Sequence, residues 1–200
     1  MSAVDEAVAA VRAGKAVILP TDTVYGLCAD AYHEQSVLRL SRLKGRDETQ
    51  PMALLASDLD VVLDAVPELR GRAAVQARAL LPGPYTLVLP NPARRFRWLS
   101  GSRRDTIGVR VPELQDGARA VLDRVGAVAA TSANRHGGRD PADLGEVPEE
   151  LRTGAAAELD GGRLPGTPST VLDLTGPEPV ALREGGGSVE AALARLGGTA

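Results

Sequence analysis

Apolar residues along the chain follow two rhythms, and their alternation sets the expected architecture. Val4, Val8 and Val11 recur at helical spacing behind Ser2, which predicts an amphipathic helix that Ser2 caps and that ends near Gly14. Ala16–Leu19 is a short unbroken apolar run closed by Pro20, which predicts a buried strand. A hydroxyl-rich turn (Thr21, Asp22, Thr23, Tyr25, with Gly26 to let the backbone turn) leads to a helix over 33–43, with Val37, Leu40 and Leu43 on one face and Gly45 as its C-terminal cap. Residues 51–55 read as a strand, Asp58 caps a helix running towards Val66, and 68–81 reads as a further helix with Arg70, Arg72 and Arg78 on a solvated face.

The second half carries more strands. A tight turn at 81–85 opens onto a strand over 86–89, and 106–112 is a strand with an arginine inside an apolar run. A helix over 113–125 precedes a buried strand at 127–130 that ends in Thr131-Ser132-Ala133-Asn134. Residues 137–168 are mostly loop around a short strand near 157–159, followed by strands at 169–174 and 180–183 and a last helix at 189–196. Helices and strands alternate early and short strands cluster late. The expected fold is therefore α/β, a twisted, mixed, open sheet with flanking helices. With no internal repeat or linker, residues 1–200 are expected to be one domain.

Composition narrows the picture. Aromatics are only 2% against 44% hydrophobic residues, so Val, Leu and Ala must fill the core. The 22 glycines and 14 prolines favour tight turns over a helical bundle. A formal charge of −3 argues against a dominant phosphate-backbone surface. Cys28 is alone, which excludes an internal disulfide and a cysteine-based metal site, and the two histidines, His33 and His136, leave little room for a zinc cluster or a histidine triad. The acidic N-terminus does not resemble a signal peptide, and no apolar run approaches the roughly 20 residues of a membrane span, so a cytoplasmic location is expected.

Candidate chemistry gathers at strand ends: Thr21 and Thr23, Ser132 and Asn134, Ser169 and Thr170. One such pair is ordinary turn chemistry, but several together point to a site outside the strand ends of an open sheet. Arg110 and Arg183 lie in or at the end of apolar strands, where an unpaired guanidinium costs several kcal/mol. Two readings fit: an ion pair with Asp22 or Asp173, or a cavity wall that receives an anion. Lys44-Gly45-Arg46 follows the second helix and brings two more cations. The basic segment 91–104 interleaves Phe96 and Trp98 and fits either an RNA contact or a flap fastened to the core. There is no P-loop and no GxGxxG after a strand, and Asp140, Asp143 and Glu146–Glu150 read as a solvated rim. His136 reads as a surface-loop histidine. A site rich in Lys, Arg, Ser and Thr and poor in histidine suits phosphoryl or nucleotidyl transfer, where positioning and charge stabilisation supply most of the rate.

In order along the chain stand PTDTVYGL (20–27), KGR (44–46), PGPYTLVL (82–89), IGVRVP (107–112), TSAN (131–134), PSTVLDL (168–174) and LREG (182–185). Together they resemble the YrdC/Sua5 family of threonylcarbamoyl-adenylate synthases over about residues 8–185, in the short form without a further C-terminal domain. The resemblance implies a concave, positively charged central cavity. It also implies a reaction in which L-threonine, bicarbonate (or CO2) and ATP give L-threonylcarbamoyl-adenylate and pyrophosphate. The adenylate then feeds N6-threonylcarbamoyladenosine formation at tRNA position 37 through a separate transferase complex. Mg2+ is expected with ATP, held mainly by its phosphates, and no metal ligand in the chain is assigned. Lys44 and Arg46 are implied as the catalytic, phosphate-binding pair, with Gln50, Thr106, Ser132, Asn134 and Arg183 also on ATP. Thr23, Arg110 and Ser169 are implied on L-threonine. Three positions depart from the family pattern: Asp47 where proline is usual, His136 where serine is common, and Met52 where leucine is usual. Asp47 places a negative charge beside the phosphate-binding cations. Two other readings stay open, a double-stranded RNA or tRNA-binding module and a carbamoyl-transfer domain like that of hydrogenase-maturation proteins. Even the enzyme reading leaves room for a weak tRNA contact. No membrane association is expected.

Overall fold

The computed structural model describes residues 2–197. Nine strands form one sheet: β1 (Val17–Pro20), β2 (Tyr25–Asp30), β3 (Ala53–Leu55), β4 (Tyr85–Pro90), β5 (Thr106–Arg110), β6 (Val128–Ser132), β7 (Ala157–Glu158), β8 (Thr170–Asp173) and β9 (Val180–Arg183). Their spatial order is β7-β1-β2-β6-β3-β5-β4-β8-β9. The β1/β7, β3/β5 and β4/β8 pairs are parallel and the remaining pairs antiparallel, so the sheet is mixed as expected. Seven helices flank it: α1 (Ala3–Arg12), α2 (Glu34–Lys44), α3 (Leu59–Ala65), α4 (Arg72–Leu80), α5 (Asp116–Val125), α6 (Glu149–Gly154) and α7 (Val189–Gly197). Among the described residues no helix is long and apolar enough to cross a membrane.

Local chemistry sets the boundaries that matter for the site. Ser2 accepts from the Asp5 amide while Asp5 reaches back to the Ser2 backbone, a reciprocal cap that starts α1. The Asp58 carboxylate starts α3 by accepting from the Asp60 amide. Gly45, at φ 63°, ends α2 in the left-handed conformation, and this abrupt stop leaves Lys44 as the last helical residue and Arg46 just past the turn.

The pleat then divides the side chains. Ile18, Leu27, Leu54, Leu87, Ile107, Val109 and Leu172 point to one face and join Val37 and Leu40 of α2, Val62 of α3, Leu80 of α4 and Ala192 of α7 in the larger core. Each buried Val, Leu or Ile of that set contributes about 2 kcal/mol by leaving water. On the opposite face Val17, Leu19, Cys28, Leu55, Val128 and Ala130 meet Val8 and Val11 of α1 and Val121 and Leu122 of α5. Those two helices cover only part of that face. Thr86, Val88, Thr106, Gly108 and Val171 lie beyond them and line a cavity instead.

The structure adds elements that the sequence reading lacks. Tyr25–Asp30 is a central strand, so the hydroxyl-rich turn closes a β-hairpin rather than leading straight to a helix. A helix occupies 149–154 within the expected loop. The helix expected over 68–81 begins at Arg72, because Gly71 at φ 54° breaks the backbone before it. The basic segment 91–104 is a flap fastened to the core. Trp98 Nε1 donates to the Ala31 carbonyl at 2.8 Å, and Phe96 packs edge-on between Tyr32 and Trp98. Both aromatics are half-buried against the core.

Trp98→Phe keeps the ring packing and strips the donor from Ala31. Stability should fall by about 1 kcal/mol, read as a lower urea midpoint at unchanged m. A midpoint equal to wild type would mean the flap is not fastened in this way.

Candidate active site

The uncovered part of the sheet is the floor of a cavity of about 560 Å3. The floor is low because its residues are small. Ala130, Ala53 and Gly108 form one cross-strand row, with Ala53 paired to Ala130 on β6 and to Gly108 on β5. A β-carbon at Gly108 would come no nearer than 3.8 Å to any neighbour, so the glycine leaves open space over the floor. Around the floor stand five cations, Lys44, Arg46, Arg103, Arg110 and Arg183, against one lining carboxylate, Asp140.

One end is built by the stop of α2 against the end of β6. Lys44, only 6% exposed, donates from Nζ to Asn134 Oδ1 at 2.7 Å, Thr131 Oγ1 at 3.1 Å and the Ser132 carbonyl. Arg46 donates from Nη1 to the same Thr131 hydroxyl at 2.9 Å and from Nε to Gln50 Oε1 at 2.7 Å. Ser132 Oγ donates to Asn134 Oδ1 at 2.7 Å, and Asn134 Nδ2 donates to the Gly138 carbonyl. Two cations are thus held side by side by neutral oxygens. Burial, with Arg46 adding to it and Asp140 opposing, pulls the Lys44 ammonium down to about 8, and burial also lowers Arg46.

The other end centres on Arg110, at the end of β5. The β1–β2 turn arches over the concave face to meet it, although β6 and β3 stand between β2 and β5 in the sheet. Arg110 Nη2 donates to Asp22 Oδ1 at 2.5 Å, Thr23 Oγ1 at 2.5 Å and Thr21 Oγ1 at 3.2 Å. Its Nε is buried with no hydrogen-bond partner. The ion-pair reading of this arginine holds with Asp22 as the partner, and the same side chain lines the cavity. Burial pushes the guanidinium below its ordinary range, with Asp22 opposing and Arg183 adding to the shift. Beside it the Ser169 and Thr86 hydroxyls lie 2.8 Å apart, and Arg183 donates from Nη2 to the Ser169 carbonyl at 2.8 Å.

Of the residues singled out from sequence, Lys44, Arg46, Gln50, Thr106, Arg110, Ser132, Asn134, Ser169 and Arg183 all line this one cavity. Thr23 is not a lining residue; it is 1% exposed and touches the cavity through Arg110, while Thr21 takes the wall position. Asp47 faces elsewhere, accepting from the Thr49 amide at 2.7 Å, and Met52 lines the cavity wall. Three contributors were missed. Thr86 lies on the cavity side of the pleat in β4, a signal available in its two-residue spacing from Val88. Arg103, on the flap, pairs with Asp173 at 2.6 Å, and in sequence it was one arginine among several. Asp140, read as rim, reaches the cavity and acts on Lys44. Cys28 takes no part, since burial pushes its thiol up to about 12.

Gly108→Val tests the floor. Its β-carbon meets only ordinary contacts, so stability should stay within about 1 kcal/mol of wild type. The branches, however, would fill space between the two cationic ends, so affinity for a polyanion, with inorganic tripolyphosphate as the probe, should drop at least about tenfold in a titration. Unchanged affinity would remove the floor from the site.

Comparison with known proteins agrees with this geometry. The family model Sua5/YciO/YrdC, described as telomere recombination, matches residues 9–185. A putative threonylcarbamoyl-AMP synthase of Mycobacterium tuberculosis is 35% identical over 192 residues, covering 96% of this chain and 88% of that one. The crystal structure of P. abyssi Sua5 complexed with L-threonine superposes with a TM-score of 0.88 at 34% identity, covering 97% of this chain and 57% of that one. Escherichia coli YciO superposes with a TM-score of 0.83 at 30% identity, covering 95% and 92%. The chain thus spans most of the mycobacterial and E. coli relatives but little more than half of P. abyssi Sua5. With a matching family model over most of its length and the motif-bearing strand ends gathered in one cavity, the chain belongs to the Sua5/YciO/YrdC family.

Proposed function

We propose that this chain is a threonylcarbamoyl-AMP synthase, making L-threonylcarbamoyl-adenylate, pyrophosphate and water from L-threonine, bicarbonate and ATP. The observation that carries the reading is the polarity of one cavity. At one end a buried guanidinium has an unpartnered Nε, and at the other two adjacent cations are held by neutral oxygens. An unpaired buried N–H costs about 1–3 kcal/mol, and an incoming carboxylate removes that cost. A polyphosphate does the same for Lys44 and Arg46, whose mutual repulsion has no lining carboxylate but Asp140 to offset it.

In this reading the threonine carboxylate docks on Arg110, with the Ser169 and Thr86 hydroxyls beside it and Thr23 holding the guanidinium from behind. Lys44 and Arg46 take the ATP phosphates, and Gln50 steadies Arg46. Thr106, Ser132, Asn134 and Arg183 line the nucleotide side. Bicarbonate takes up a proton and loses water to give CO2, and the neutral threonine amine adds to it, releasing a proton to solvent and leaving a carbamate. A carbamate oxygen then attacks the α-phosphorus, and the bond to the β-phosphate oxygen breaks to release pyrophosphate. Lys44 and Arg46 offset the charge that develops on the leaving group, and the low floor lets both substrates lie within reach of each other. Once the amine is neutral the step needs no strong protein base.

Among the described residues no three His, Cys, Asp or Glu side chains are grouped to hold a metal. Apart from Asp140 the cavity lining is cationic or neutral, and in this reading Mg2+ enters as the counter-ion of ATP. The adenylate would pass in the cytoplasm to a separate transferase complex acting on tRNA.

The purified protein should release pyrophosphate from Mg-ATP only when threonine and bicarbonate are both present. Lys44→Ala or Arg46→Ala should lower kcat/KM about 100-fold or more with the fold intact by circular dichroism. Arg110→Lys should raise the threonine KM by about 30-fold or more, because a point charge replaces a fork. Release that ignores threonine would contradict the reading. Lys44 also sets a pH dependence. Its free-site ammonium loses a proton above about 8, whereas the phosphate-bound form needs it. ATP affinity should therefore be flat below pH 8 and fall about tenfold per pH unit above it. Lys44→Met should bind weakly and without that slope; a slope that persists would assign it to another group.

A further inference from the structure

His136 stands at the cation end of the cavity with no role in the reaction as described. Gln50 Oε1 is committed to Arg46 Nε at 2.7 Å, which turns the Gln50 amide nitrogen towards the imidazole, 3.4 Å from His136 Nε2. An amide nitrogen only donates, so His136 Nε2 holds a lone pair in this arrangement and its proton sits on Nδ1. Both residues line the cavity, Gln50 on the loop after α2 and His136 on the loop after β6, so their contact bridges two walls. The charged groups sharing this part of the lining are Lys44, Arg46 and Asp140. The neighbouring Arg135 is engaged outside by Glu150.

A bridge of this kind is mismatched to the ligand proposed above. Phosphate oxygens only accept, so they repel a lone pair but suit an N–H. We propose that His136 is a leaving-group contact. On polyphosphate binding its imidazole parts from Gln50, turns to present its Nδ1–H to the terminal phosphates of ATP and stays with the departing pyrophosphate. Gln50, freed on the same side, offers its amide N–H to the same oxygens. No bond to His136 forms or breaks. The contact discriminates diphosphate from monophosphate, because it lies beside Lys44 and Arg46 at the cation end, on the loop after β6, rather than on the floor. This assignment rests on the polyphosphate reading of the cavity.

Titration calorimetry with inorganic pyrophosphate and, separately, with AMP on wild-type, His136→Ala, His136→Gln and Lys44→Ala proteins tests it. His136→Ala should weaken pyrophosphate about tenfold and leave AMP within about twofold, at an unchanged urea midpoint. His136→Gln, which keeps a neutral donor, should recover part of the loss. Equal losses for both ligands, or none for pyrophosphate, would overturn the proposal while Lys44→Ala still reports a working phosphate site. A wild-type protein that binds no pyrophosphate would overturn both this assignment and the reading beneath it.

Discussion

Five cations share the concave face of the sheet with one lining carboxylate, and the site follows from that imbalance. Charges in a partly buried cavity interact more strongly than on a surface, and each loses hydration as well. The protein answers with neutral oxygens. Thr131 serves both Lys44 and Arg46, the Ser132 carbonyl and Asn134 serve Lys44, and Thr21 and Thr23 join Asp22 on Arg110. Hydroxyls and amides hold a cation in place without cancelling its charge. Of the five cations, Arg103, through Asp173, and Arg110, through Asp22, have carboxylate partners among the described residues. What remains is a positive field at both ends, together with a lowered Lys44 pKa and an unpartnered Arg110 Nε.

The fold makes room for that field by incomplete covering. Helices α2, α3, α4 and α7 pack on one face of the sheet, whereas α1 and α5 cover only part of the other. Small residues at Ala53, Gly108 and Ala130 turn the open half into a concavity, and the hairpin turn and the flap wall it. The flap is a structural wall because Trp98 and Phe96 are spent on the core. Relatives of two lengths share the fold, YciO with nearly the same extent and P. abyssi Sua5 with this chain covering 57% of its length.

Most helices, and strands with a clear apolar run, could be read from the sequence because their signals are local. Ser2, Asp58 and Gly45 mark ends by hydrogen-bonding or backbone geometry that depends on nearby residues. The strand Tyr25–Asp30 could not, because YGLCAD offers neither alternation nor β-branched residues; it is a strand only because β1 and β6 flank it. The helix at 149–154 is hidden in a Gly- and Pro-rich segment, and only Leu151 in it is buried. The site was legible where polar residues interrupt apolar strands, as at Arg110 and Ser132. It was not legible where a residue's role comes from a distant partner. Nothing near Asp140 in sequence points to Lys44, and nothing near Thr23 says that Arg110 stands between it and the cavity.

The central claim is that one cavity binds an amino-acid carboxylate at Arg110 and a polyphosphate at Lys44 and Arg46, with both ligands over the Gly108 floor. A crystal structure with L-threonine and a non-hydrolysable ATP analogue tests this most directly. The account predicts the carboxylate on Arg110 with Nε engaged, the phosphates on Lys44 and Arg46, and the threonine amine facing the α-phosphate across the floor. Both ligands on the same cations, or either one outside this cavity, would contradict it.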